Sequence, residues 1–146
     1  MQYITRITEV NHKRGRYLVE FVDIPSCHTH ISDPMQLQTK VLDHLLLRLM
    51  TGYVDRGIAI PEPHVGRGIK VEIPLHIQLK IRLWNRLVET GRNMVYLQDI
   101  MDYCQLVEAR RLIDFKRNTK LETLIHALAR MGVETSWNFQ TSPLAD

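Results

Sequence analysis

Hydrophobic and polar positions change period between residues 60 and 75. Before that stretch, short runs alternate residue by residue; after it, apolar positions recur three and four apart, the spacing that gathers them on one side of a helix. Residues 3–10 and 16–22 read as two strands, the second being the β-rich run Tyr17-Leu18-Val19-Glu20-Phe21-Val22. Lys13-Arg14-Gly15 between them predicts a hairpin with Gly15 at the turn. Asp23-Ile24-Pro25 ends the second strand, because proline cannot donate to a ladder, and a short third strand is expected around Cys27–Ile31. Asp33 then has the character of a helix N-cap, with Pro34 at the first helical position and Gln36 where a capping box places its return hydrogen bond. The helix is expected from Pro34 to about Tyr53. Leu37, Val41, Leu45 and Leu49, flanked by Leu42, Leu46 and Met50, make a stripe broad enough to cover one face of a small sheet.

The Pro-punctuated stretch Ile60-Pro61-Glu62-Pro63-His64 joins this half to the next. Residues 68–73 supply one more strand before Pro74 breaks it. A helix follows from about Leu75, with Leu75, Leu79, Leu83 and Leu87 and the set Ile77, Ile81, Trp84 and Val88 facing inward, and Gly91 as its left-handed C-terminal residue. Asn93 caps a shorter helix through about Tyr103, and another lies near 106–115. Thr119-Lys120-Leu121-Glu122 reads as a capping box opening a last helix to about Met131, which Gly132 stops. The expected architecture is α+β: a small antiparallel sheet with one long helix over residues 1–73, and an all-α module over 74–140. The tail 141–146 is expected to fray.

Composition leaves this picture intact and adds a direction to it. An apolar content of 45% is that of a folded globular chain, and the net charge of +3 is mildly basic. Residues 1–63 carry seven Lys/Arg against seven Asp/Glu, so the whole of the positive excess lies in the helical half. That asymmetry favours an anionic partner there. Cys27 and Cys104 stand alone in different halves, which fits reduced thiols, and the N-terminus lacks the apolar core of a signal peptide. No window is apolar enough to span a bilayer, so a cytoplasmic protein with no membrane association is expected.

Candidate chemistry is sparse. Cys27-His28-Thr29-His30 holds metal-ligand residue types, but in an extended segment only His28 and His30 share a face, and a site would need His12 or His44 as well. Surface histidines are the ordinary reading, and no metal or other cofactor is expected. Ser26 and Ser32 lack a glycine-flanked nucleophile turn, and Asp23, Asp33, Asp43 and Asp55 follow no metal-site spacing, so no catalytic residue is assigned. Trp84 and Trp137 sit among apolar neighbours and read as core or interface residues.

Four helices, the second and third short and closely joined, follow the rhythm of a helix-turn-helix domain. Arg110, Arg111, Lys116, Arg117 and Lys120 could touch several phosphates from one edge of it, and Gln105 and Glu108 ahead of them could face base edges. A solvated basic face on a dimerisation module is the bland alternative. The connection Asp102-Tyr103-Cys104-Gln105-Leu106 contains no glycine, and Tyr or Cys in a left-handed position would be strained, so a turn of another shape is expected.

With these residues placed, the chain resembles the HicB family of antitoxins and antitoxin-like regulators over nearly its whole length. The resemblance is carried by Tyr3, Gly15, Tyr17, Val19 and Phe21 leading into Val22-Asp23-Ile24-Pro25, and by the helix ending in Gly52-Tyr53-Val54-Asp55 before Ile58-Ala59-Ile60-Pro61-Glu62-Pro63. It continues through Val71-Glu72-Ile73-Pro74-Leu75 and from Arg111-Leu112-Ile113-Asp114 to Asn118-Thr119-Lys120-Leu121-Glu122-Thr123-Leu124. It implies a non-catalytic, partial RNase H-like N-terminal domain that binds a small RNA-cleaving toxin of the HicA type. It also implies a C-terminal DNA-binding domain that represses its own operon. Association into a homodimer or higher oligomer is expected separately, because the apolar surface of the 75–90 and 119–131 helices is wide for so short a segment and because operator-binding modules work in symmetric pairs. Because the first half is charge-balanced, toxin contact is expected to be apolar, along the sheet edge and the segment Asp23, Ile24, Pro25, Ser26 and Cys27. An orphan DNA-binding repressor without a toxin, and an oligomeric adaptor that binds no DNA, are the alternatives.

Overall fold

The alternating runs of the first half pair into a four-stranded antiparallel sheet, in a computed structural model that describes residues 1–11 and 15–133. His12, Trp137 and the tail 141–146, singled out above, lie outside the described residues. The strands are β1 (Gln2–Asn11), β2 (Arg16–Phe21), β3 (His28–Ile31) and β4 (Ile69–Glu72), in the spatial order β3-β2-β1-β4. The chain divides into two compact units, Met1–Gln78 and Leu79 onward.

In the first unit, register follows from the period of two. Tyr3, Thr5, Val19, Phe21, Ile31 and Val71 are buried together on one face. On the opposite face Arg6 pairs with Glu20 and Glu20 with His28, a row of polar residues crossing three strands. The long helix, α1, is a continuous 21-residue element that changes pitch along its length. A 3-10 turn at Pro34–Gln36 and a π-helical segment at Leu37–Val41 precede the α-helical stretch Leu42–Leu49, and π-helical Met50–Val54 ends it. Val41, Leu45 and Leu49 are fully buried, whereas Leu37, Leu42, Leu46 and Met50 are only half-buried, so the covering stripe is narrower than the sequence suggested. Asp33 does cap the helix, its Oδ1 accepting from Met35 N at 2.9 Å. Gln36, however, accepts from Ser32 N at 3.2 Å rather than from Asp33, because the tight first turn carries its amide one residue further back.

Two devices close the β4 side of the sheet. The Gln38 carboxamide donates to Glu72 O at 2.9 Å and accepts from Glu72 N at 3.3 Å, serving as a strand partner for an edge residue that would otherwise be open. The connection before β4 folds back over Ile4, which points to the outer face yet is 3% exposed. Tyr3 Oη donates to Pro61 O at 2.6 Å and Thr5 Oγ1 to Ile69 O at 2.7 Å. Gly68 makes the close approach possible: its φ is +142°, and a Cβ there would lie 2.5 Å from Ile4 Cγ2 and 2.9 Å from Thr5 O.

The second unit begins within α2 (Leu75–Glu89) and adds α3 (Met94–Ile100), α4 (Leu106–Arg111) and α5 (Leu121–Arg130). Ile77, Leu79, Ile81, Leu83, Trp84 and Leu87 of α2 are buried, Val88 is half-buried, and Leu75 is exposed. Leu75 was expected inside; at the first helical position it precedes the turn in which Ile77 and Gln78 donate to Pro74 O. Gly91, at φ +68°, reverses the chain so that Arg92 N reaches Leu87 O at 2.8 Å. Asn93 Oδ1 caps α3 by accepting from Tyr96 N at 3.1 Å. The expected Thr119 capping box does not form. The last helix starts one residue later, with Lys120 at the N-cap and no side-chain cap bond, while Thr119 Oγ1 turns back to Arg111 O at 3.5 Å.

Candidate functional site

The two short helices of the second unit, α3 and α4, pack against each other, with Leu97 and Ala109 as their fully buried residues. An alanine at 109 lets α4 approach closely. The connection between them is tightened at both ends: Tyr103 N donates to Gln98 O at 3.0 Å, and Gln98 Nε2 donates to Tyr103 O at 3.3 Å. Its left-handed residue is Asp102, at φ +55°. The strain expected of Tyr103 or Cys104 in such a position is therefore avoided, because a short acidic side chain tolerates this conformation.

Gln105 is the N-cap of α4, and its backbone N–H donates to Glu108 Oε1 at 3.0 Å. The Glu108 carboxylate thus serves the helix start, while the Gln105 side chain is exposed. Arg110 and Arg111 are exposed in the last turn of α4, which suits cations because the carbonyl end of a helix is negative. Leu112, Ile113 and Phe115 then enter the core and leave Lys116, Arg117 and Lys120 outside. All five basic residues singled out from the sequence are exposed, on α4 and the segment that joins it to α5.

That segment is held from several sides. Arg117 N donates to Asp114 O at 3.1 Å and Lys116 N to Asp114 Oδ1 at 3.0 Å, so one aspartate organises the turn that carries two of the cations. Beneath it lies Lys80 of α2, a side chain with no exposure, whose Nζ donates to Asp114 O at 2.7 Å and to Arg117 O at 2.6 Å. Burial pushes the Lys80 ammonium down to about 8, against the Asp114 charge, which holds it up. Lys80 was missed at the sequence level. Its position, three residues after Ile77 and four before Trp84 on the inward face of α2, is the signal that could have found it.

The segment expected to meet a protein partner is only half available. Ile24 has no exposure and Cys27 is 2% exposed, so both are core residues, while Pro25 and Ser26 are exposed. Ser26 holds a positive φ of +65° at the tip of this tight turn, where Cys27 N donates to Ile24 O at 3.1 Å. Asp23 is engaged by His64, whose backbone N–H reaches Oδ2 at 3.2 Å and whose Nδ1 contacts Oδ1. Burial pushes the Cys27 thiol up to about 11, with Arg48 opposing, which makes it a poor nucleophile and a poor metal ligand. His28 and His30 are exposed on the outer side of β3, and among the described residues no group of three His, Cys, Asp or Glu side chains is placed to hold an ion. No helix among the described residues is long and apolar enough to cross a membrane.

No family model matches the chain. It is similar to two curated proteins over most of its length. It is 25% identical over 121 residues to Antitoxin HicB 2 of Photorhabdus laumondii, covering 83% of this chain and 86% of that protein. It is 27% identical over 130 residues to Antitoxin HicB of Pseudomonas fluorescens, covering 85% and 86% respectively.

Proposed function

We propose, from the premise that this chain is a HicB-like protein by distant homology, that it acts as a non-enzymatic antitoxin and transcriptional regulator. In this reading the sheet unit holds a small HicA-type RNA-cleaving toxin in the cytoplasm and the helical unit binds operator DNA. The observation that carries the DNA half is the exposure of Arg110, Arg111, Lys116, Arg117 and Lys120 on α4 and its exit, with apolar neighbours buried behind them. An edge of this kind neutralises phosphates and releases their counterions, which makes binding steeply salt-dependent. Gln105 is exposed at the start of α4, where a base edge would lie, whereas the Glu108 carboxylate is occupied with the helix cap.

The test is fluorescence anisotropy on DNA from upstream of the gene, across a salt series. Arg110→Ala with Lys116→Ala is expected to weaken binding and to lower the salt slope by about one unit for each lost phosphate contact. Binding by the wild type that is absent at every salt concentration would leave the adaptor alternative in its place.

For the toxin half, contact falls to what the sheet unit leaves exposed around the partner segment, namely Val22, Pro25 and Ser26. An apolar contact there resists salt, because burial of apolar surface is not screened. Val22→Asp is expected to abolish co-purification of a small basic partner while the fold persists. Failure of the wild type to retain any such partner from the source cell would favour the orphan repressor.

A further inference from the structure

We infer that Lys80 is a positioning residue for the basic edge: resting on the DNA-binding reading above, its buried ammonium fixes the 114–117 turn so that Lys116 and Arg117 are presented in one geometry to phosphates. Three observations meet here. The lysine has no exposure although it lies in the middle of α2, an arrangement that is costly for a cation unless donors and acceptors are matched. Its acceptors are the carbonyls of Asp114 and Arg117, the first and last residues of a single turn, at 2.7 and 2.6 Å. The two residues on that turn with exposed cationic side chains are Lys116 and Arg117, and its second residue, Phe115, is buried at 5% exposure, so the turn is anchored from within on both its backbone and its apolar side. A charged donor shared by both ends of a turn makes stronger bonds than a neutral one. It also costs the arginine and lysine less ordering when a polyanion arrives, because their backbone is already fixed.

A second consequence concerns the field of the edge. The ammonium adds a positive charge directly behind the backbone that carries Lys116 and Arg117, where the interior screens it less than water would. Lys80 therefore contributes to attraction without touching the ligand.

The experiment uses the intact chain and the variant Lys80→Met, which keeps the stem and removes the donors. In the wild type, trypsin is expected to cut slowly after Lys116 and Arg117, since the Arg117 carbonyl is held by the lysine. In K80M, still folded by circular dichroism, cutting there is expected to rise at least ~10-fold, as for a segment released from local protection. The salt slope for DNA is expected to fall by about two, with the contacts of Arg110 and Arg111 retained. A lysine that served only global stability would lower the folded fraction and leave that slope unchanged. Equal cutting in the folded variant, or an unaltered slope, overturns the proposal. If the wild type binds no DNA at all, the parent reading fails, and the trypsin comparison alone decides whether Lys80 holds the turn. Should K80M not fold, nitrogen NMR of the wild type decides: slowly exchanging Lys80 ammonium protons coupled to the carbonyls of residues 114 and 117 are expected at neutral pH, and their absence overturns it.

Discussion

Two buried titratable side chains give the two units opposite responses to alkali. Lys80, pushed down by burial to about 8 from an ordinary 10.5, binds fewer protons folded than unfolded between those values. Stability of the helical unit from this group therefore rises with pH across that window, by up to ~3 kcal/mol, and the gain is complete once the unfolded chain also loses the proton. Cys27, pushed up by burial from 9.0 to about 11, keeps its proton in the folded sheet unit where the unfolded chain has lost it. Its contribution is full below pH 9 and declines as pH rises toward 11, and the raised Tyr3 hydroxyl acts in the same direction at higher pH. Urea titrations from pH 7.5 to 10.5, with Trp84 fluorescence reporting the helical unit and amide exchange the sheet unit, are expected to show the two midpoints diverging. Ile24 belongs to the same scale. Having no exposure, it cannot be probed as a surface contact: Ile24→Asp is expected to cost more than ~3 kcal/mol and unfold the sheet unit, whereas Val22→Asp should cost less than ~0.5 kcal/mol. Thermal melts of the two variants separate core from surface.

Turns decide the elements. Asp102 holds a left-handed conformation between α3 and α4, and glycine would hold it without the Cβ penalty. Asp102→Gly is expected to raise stability by ~0.5–1 kcal/mol, and Asp102→Val to lower it by ~1–2 kcal/mol, as read from denaturation midpoints. Gly68 has the opposite tolerance, since a methyl there would collide with Ile4 and with the Thr5 carbonyl. Gly68→Ala is expected to loosen β4 at a cost of ~1–3 kcal/mol, seen as faster amide exchange at Ile69–Glu72. Most element boundaries were legible in the sequence because their signals are local: Asp33, Asn93, Gly91 and Pro74 each act within a few residues of where they stand. The Thr119 capping box was misplaced for the same reason, because Thr119 is drawn to Arg111 O by the fold of the preceding turn, and that contact spans eight residues.

At the scale of the molecule, the apolar faces of α2 and α5 no longer argue for self-association by themselves. Ile77, Leu83, Leu87, Leu124, Ala127 and Leu128 are buried within the chain, and Val95, Val107 and Leu121 are left exposed on the helical unit. Self-association, as we propose it, comes from the operator. Two copies bound in symmetry are expected to protect half-sites about one helical turn, ~10 base pairs, apart, and a hydroxyl-radical footprint tests this spacing. A single unrepeated protected patch would set the dimeric reading aside.

Sequence alone determined the α+β order of elements, the sheet hairpin, the helical second half and the exposure of its five late cations, because periodicity, caps and charge asymmetry are properties of neighbours along the chain. Tertiary structure decided what neighbours could not. It buried Ile24 and Cys27 by closing a turn around Ser26, and it folded the chain before Gly68 over Ile4. It also brought Lys80 beneath a turn 34 residues away, where the carbonyls of Asp114 and Arg117 meet the one buried ammonium among the described residues. The physical reason is the same in each case: desolvation depends on what the whole unit places around a group, and no local pattern contains that information.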